Sequence, residues 1–117
     1  METTIHNNDS LQIHNSQVSG NDSGMIIFND GERSNAGLFN VKFTQNSTNI
    51  GIIFNRGKYA VVEKCIFNDN RIIRDIYNLS DMTLDDVKID DGNRTIENEG
   101  FILLKSDLHN VRDKIYG

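Results

Sequence analysis

The chain has 117 residues, with 12 Lys and Arg against 17 Asp and Glu for a net charge of -5, no Trp, no Pro and one Cys. That length holds one small domain, and an acidic balance without a basic cluster argues against nucleic acid or an anionic membrane as partner, since both select concentrated positive charge. The lone Cys65 excludes an internal disulfide framework and a two-thiolate metal site, and no run approaches the roughly 18 apolar residues that a membrane span needs.

From the N-terminus, Met1 is followed by polar Glu-Thr-Thr, which does not read as a secretory leader. Residues 1–10 read as an unstructured polar arm, within which Ile5-His6-Asn7 is a weak first copy of a recurring tripeptide. The full tripeptide, a large apolar residue, an aromatic and Asn, occurs as Ile27-Phe28-Asn29, Ile53-Phe54-Asn55 and Ile76-Tyr77-Asn78, its Asn positions 26 and 23 residues apart. A second pattern alternates with it: Ile13, Ser16, Val18, Asn21, then Leu38, Val41, Phe43, Asn46, then Val62, Cys65, Phe67, Asn70. Leu84, Val87, Ile89 and Gly92 repeat it with Gly in the Asn place. Residues 102–104 and 111–116 give a degraded fifth copy.

Such a period signals a solenoid or array. The apolar runs are short, rich in Ile, Val and Phe, and bounded by Gly, Asn, Asp and Ser, as strands and turns are. No segment sustains a helical apolar stripe, and the period is about half the roughly 40–45 residues of a propeller blade. The expectation is an all-β parallel β-helix of four to five coils of 22–27 residues, falling at 5–23, 24–49, 50–73, 74–99 and an incomplete 100–117. With residues 108–117 also read as unstructured, both ends are open sheet edges prone to self-association, and the chain reads as a rigid rod cut from a longer solenoid.

The run Gly51-Ile52-Ile53-Phe54-Asn55-Arg56-Gly57, followed by Val62 and Cys65-Ile66-Phe67-Asn68-Asp69-Asn70, resembles the repeat of polymorphic outer-membrane proteins and adhesin-like surface proteins. That repeat reads roughly G-G-A-I-x-N-x-G, then alternating apolar residues, then [S/T/C]-x-F-x-x-N. Residues 24–46 look like a second copy. The resemblance implies a right-handed helix of pectin-lyase-like architecture, an extracellular or cell-surface location, and a non-enzymatic adhesin-like role.

Alternation along strands puts Ile and Asn of each tripeptide on one face. Asn29, Asn55 and Asn78 then form a structural column, and Asn21, Asn46 and Asn70 a second one at a turn. Phe28, Phe54 and Tyr77 fall on the opposite face as a candidate binding stripe for a polysaccharide, or for a cell-surface glycan or protein. Asp81, Asp85, Asp86, Asp90 and Asp91 form an acidic cluster, of which the last four are the candidate Ca²⁺ ligands. No other cofactor is read. The same cluster, with Arg71, Arg74 and Arg94 brought near by coil stacking, supports the alternative of a carbohydrate-active lyase or hydrolase. The three His, far from the acids in sequence, weaken it. Cys65 reads as a buried small residue, and the sequons at Asn8, Asn21, Asn46, Asn78 and Asn93 match chance for a chain with 16 Asn.

Overall fold

Three short straight runs per coil, each rich in β-branched and aromatic residues, turn corners at Gly, Asn and Asp and return one strand higher. A computed structural model, which describes Thr3–Gly117, contains β1 (Thr3–Asn7), β2 (Ser10–Ser19), β3 (Met25–Thr44), β4 (Gly51–Glu63), β5 (Ile66–Asn68) and β6 (Ile76–Asn78). It continues with β7 (Asp81–Asp85), β8 (Lys88–Ile89), β9 (Ile96–Asn98), β10 (Phe101–Ser106), the 3₁₀ turn Val111–Lys114 and β11 (Ile115–Tyr116). Every strand pairing is parallel. The chain is a parallel β-solenoid of about five turns.

The register superposes equivalent residues coil by coil. Ile5, Ile27, Ile53, Ile76, Ile96 and Ile115 form one inward column, and Ile13, Leu38, Val62, Leu84 and Leu104 another. The interior members are sealed, with Ile27, Val62, Ile76 and Leu84 at 0% exposure. Phe43 and Phe67 stack inside the core with ring centroids 4.8 Å apart.

Corners recur as well. Asn15, Asn40, Lys64 and Asp86 occupy the same bend with φ between 50° and 57°. This left-handed conformation suits Asn and Asp but costs roughly 1–2 kcal/mol for an ordinary L-residue such as Lys. Such corners bend β2 and β3 from one sheet face to the next without ending them, whereas at Lys64 and Asp86 the strands β4 and β7 end at the corner.

Several expectations are corrected. The fourth member of the turn column is Asp91, not Gly92: Asn70 donates from its backbone N and its Nδ2 to the Asp91 carboxylate at 2.9 and 2.8 Å. The turn there is one residue shorter than a fixed spacing anticipates. Thr3–Asn7 is a paired strand rather than a loose arm; Met1 and Glu2 lie outside the described residues. Residues 108–117 are not loose either. The Asp107 carboxylate accepts from the backbone N–H groups of Val111 and Arg112 at 2.6 and 3.3 Å. That caps the 3₁₀ turn and places Val111 at 0% exposure against the core. At 30 × 29 × 28 Å the molecule is as wide as it is tall, a block rather than a rod.

Candidate functional site

The interior Asn column spans five coils. Asn7, Asn29, Asn55 and Asn78 each donate from Nδ2 to Oδ1 of the next, ending on Asn98, at 2.9, 2.9, 2.8 and 2.9 Å. Each of these amides also donates to a carbonyl beyond the following corner: Asn35, Tyr59, Asp81 and Phe101 in turn. Asn55 and Asn98 further accept the N–H two residues on, from Gly57 and Gly100. Their side-chain bonds join each coil to the next and fasten one sheet face to the backbone beyond the corner. Asn98 escapes the tripeptide pattern because Glu97 replaces the aromatic.

The corner column, Asn21, Asn46 and Asn70, runs in the same direction with amide bonds of 3.0 Å before ending on Asp91. Asp75 is fully buried close to this end, and neither of its carboxyl oxygens has a hydrogen-bond partner of good geometry among the described residues. Burial first, and then the facing Asp91 carboxylate, push its pKa up to about 9. The carboxyl is therefore neutral at pH 7. A carboxyl that keeps its proton at pH 7 is raw material for acid–base catalysis, but with Asp75 at 0% exposure no substrate reaches the proton.

Phe28, Phe54 and Tyr77 do stand in a row on the outer face. Together with His6 they stack ring on ring, centroids 5.0, 5.0 and 4.9 Å apart and planes within 19°. The ring faces therefore cover one another, and edges meet solvent. Arg56 lies 5.0 and 5.9 Å from the Phe28 and Phe54 centroids, and Arg74 lies 4.3 Å from that of Tyr77. These cations are paired in turn. Arg56 donates to Asp30 at 2.9 Å, a bond that holds the Asp30 carboxyl below its usual range, and Arg74 meets Glu97 at 3.3 Å. Tyr77 donates to Glu99 at 2.6 Å, which raises its phenol pKa. A sugar needs an open ring face, and this row offers none along its flank.

The acidic cluster is dispersed. Asp86 pairs with His109 at 3.2 Å and Asp90 with Lys88 at 3.6 Å, Asp91 ends the amide column, and Asp85 closes β7. Among the described residues no three His, Cys, Asp or Glu side chains gather as a metal ion requires. Arg74 and Arg94 point elsewhere, Arg94 onto the Tyr116 ring at 5.1 Å. Cys65 is fully buried with its thiol pKa raised to about 11 by burial, so thiolate chemistry at neutral pH is closed to it.

An open apolar surface exists on the neighbouring face instead. Tyr59, Asp81 and Phe101 form one outward column, and Gly37, Val61, Thr83 and Leu103 the next. Tyr59, Phe101 and Leu103 are 36%, 61% and 50% exposed. Tyr59 and Phe101 stand two coils apart, about 9.5 Å at the usual strand spacing, and the intervening Asp81 has no ring to cover them. The tyrosine hydroxyl is fixed by a hydrogen bond with Thr83. Tracking outward residues through the repeat, as the inward ones are tracked, is the signal that finds this surface.

Comparison of the chain with protein-family models, with curated proteins and with solved structures finds no match to any of them.

Proposed function

We propose that the chain is a non-enzymatic binding segment of a repetitive surface or secreted protein, a rigid β-solenoid that presents a lateral face to a glycan chain. The observation that carries this reading is the Tyr59, Phe101 and Leu103 surface: large apolar side chains held outward on a stiff sheet, of the kind that marks interaction sites. Two rings held two coils apart, Tyr59 and Phe101, suit a polymer laid along the stack, because each exposed aromatic side chain accepts one sugar face. The resemblance of residues 51–70 to the adhesin-like repeat points the same way and adds right-handed coiling and a cell-surface setting.

The test is binding of the purified chain to immobilised acidic and neutral polysaccharides, alongside a turnover assay on polygalacturonate with and without Ca²⁺. Saturable binding that weakens about tenfold in Phe101→Ala and Tyr59→Ala, while Phe54→Ala leaves it unchanged, supports the reading. Turnover abolished by Asp91→Ala overturns it in favour of a carbohydrate-active enzyme, and binding confined to a protein partner overturns the choice of ligand.

A further inference from the structure

The two ends of the solenoid both leave apolar residues half-buried, Ile102, Leu104 and Ile115 at the C-terminal one, but they differ in shape and in edge charge. At the C-terminal end, Val111 enters the core, β11 lies on β9 one step above β10, and the exposed edge of β10 carries Lys105. At the N-terminal end, β2 runs for ten residues, SLQIHNSQVS, with no Asp, Glu, Lys, Arg or Pro, although these are the devices by which natural edge strands avoid pairing. Ile5, Leu11, Ile13 and Val18 are only half-buried there, while Ile27, Ala36, Leu38 and Phe43 beneath them are buried.

We infer that this N-terminal face pairs with the same face of a second copy, β2 against β2 in antiparallel register about a two-fold axis through Gln12. In that register Leu11 of one chain lies opposite Ile13 of the other, so the two half-open apolar cross-sections close on each other while Gln12 faces Gln12 on the outside. A head-to-tail stack is disfavoured because the C-terminal end is stepped: β11 occupies the level that an incoming β1 needs. An isologous contact also closes after two copies, the commonest outcome for soluble oligomers. An end face of a molecule 30 × 29 × 28 Å across is bounded by roughly 800 Å², about what each partner gives to a standard interface. A contact of that size is below the usual range of obligate interfaces, and it yields a ten-coil body with the lateral face running along both halves. It does not depend on what that face binds.

Sedimentation velocity across a dilution series of the full chain reads the association, with Ile13→Lys and Leu104→Lys as matched variants at the two ends. The expected result is a monomer–dimer equilibrium that Ile13→Lys weakens at least tenfold and Leu104→Lys does not, with unchanged circular dichroism for both. Gln12→Cys then forms a disulfide-linked dimer under mild oxidation, because antiparallel partners lie roughly 4.5–5.5 Å apart at Cα, within disulfide reach. Buried Cys65 stays silent. A chain that is monomeric at every concentration overturns the inference, as does association lost in Leu104→Lys or a dimer that fails to cross-link through Gln12→Cys.

Discussion

The two amide columns of this solenoid are built from the same side chain, with the same bond repeated each coil, and they do different work. In the interior column, Asn29, Asn55 and Asn78 are at most 1% exposed, and each fastens its own strand both to the coil above and to the backbone beyond the corner. In the corner column only the middle member, Asn46, is buried in that way, at 2%, while Asn21 and Asn70 on either side of it are half-exposed. The last residue separates the two further. Asn98 ends the interior column as a neutral amide, whereas Asp91 ends the other as an acceptor only, with the neutral carboxyl of Asp75 facing it. A repeated residue is thus a repeated geometry, and burial together with the terminal member decides what that geometry is worth.

The largest expected effect lies where the corner column ends. The folded-state pKa of Asp75 stands above the roughly 3.9 of an unfolded aspartate, so the native state holds a proton that the unfolded chain has released. Its contribution to stability is complete below about pH 4 and is lost as pH rises toward 9, at up to about 1.4 kcal/mol per pH unit. Asp75→Asn supplies a permanent donor facing Asp91 and removes that slope. Urea titrations from pH 4 to 8.5 should show the variant gaining on the parent as pH rises, with the two nearly equal at the acid end. Parallel pH dependences would mean that Asp75 is ionised and the ends of the two columns are not distinct in this way.

Removing an interior amide comes next. Asn55→Ala leaves the Gly57 N–H, the Asp81 carbonyl and the amides of Asn29 and Asn78 each short of a partner. At ~1–3 kcal/mol for each group left without any partner, the loss is on the order of 3–4 kcal/mol by chemical denaturation. Asn21→Ala, which drops one amide at a half-exposed corner, should cost under about 1 kcal/mol. Equal losses would abolish the contrast between the columns.

The outer aromatic row lies between these extremes. Phe54→Ala interrupts two ring contacts, each worth roughly 0.5–1.5 kcal/mol, so a cost of about 1–3 kcal/mol is expected, with polysaccharide binding unaltered. Stability left intact alongside lost binding would restore the row as the binding surface.

The architecture was legible because a solenoid writes its geometry as a period: spacings of 26 and 23 residues between equivalent Asn need no knowledge of packing. What escaped the sequence depends on local departures or on depth. Asp91 takes the fourth place in its column through a one-residue contraction that a fixed spacing overlooks. Asn98 is hidden by the Glu before it. Asp75 looks like an ordinary turn acid beside Arg74, and only the closing of the coil around it removes its water. The row of Phe28, Phe54 and Tyr77 was legible as a row, yet whether rings offer faces or edges depends on side-chain rotation, which no periodicity encodes.

The smallest effect concerns the bend shared by Asn15, Asn40, Lys64 and Asp86. Asn40 donates from Nδ2 to Asn15 Oδ1 at 2.8 Å, a short exposed version of the interior column that stops at Lys64, where φ is 54°. Lysine has no side-chain group suited to this left-handed backbone and no planar amide with which to continue the stack, which here runs from the later coil to the earlier one. Lys64→Asn relieves the backbone and offers its own Nδ2 to the Asn40 Oδ1, in the direction in which Asn40 donates to Asn15. Since exposed hydrogen bonds contribute little beyond those made to water, most of the gain is conformational, roughly 0.5–1 kcal/mol. Lys64→Gly separates the two contributions: it relieves the same strain without an amide, but gives back part of the gain through the added freedom of the unfolded chain. The order expected in urea denaturation is Asn above Gly and Gly at or slightly above Lys. A gain in Lys64→Asn well beyond 1 kcal/mol would show that the amide bond itself carries energy at an exposed corner, and the distinction between the buried and exposed columns would then rest on the number of bonds per residue rather than on burial.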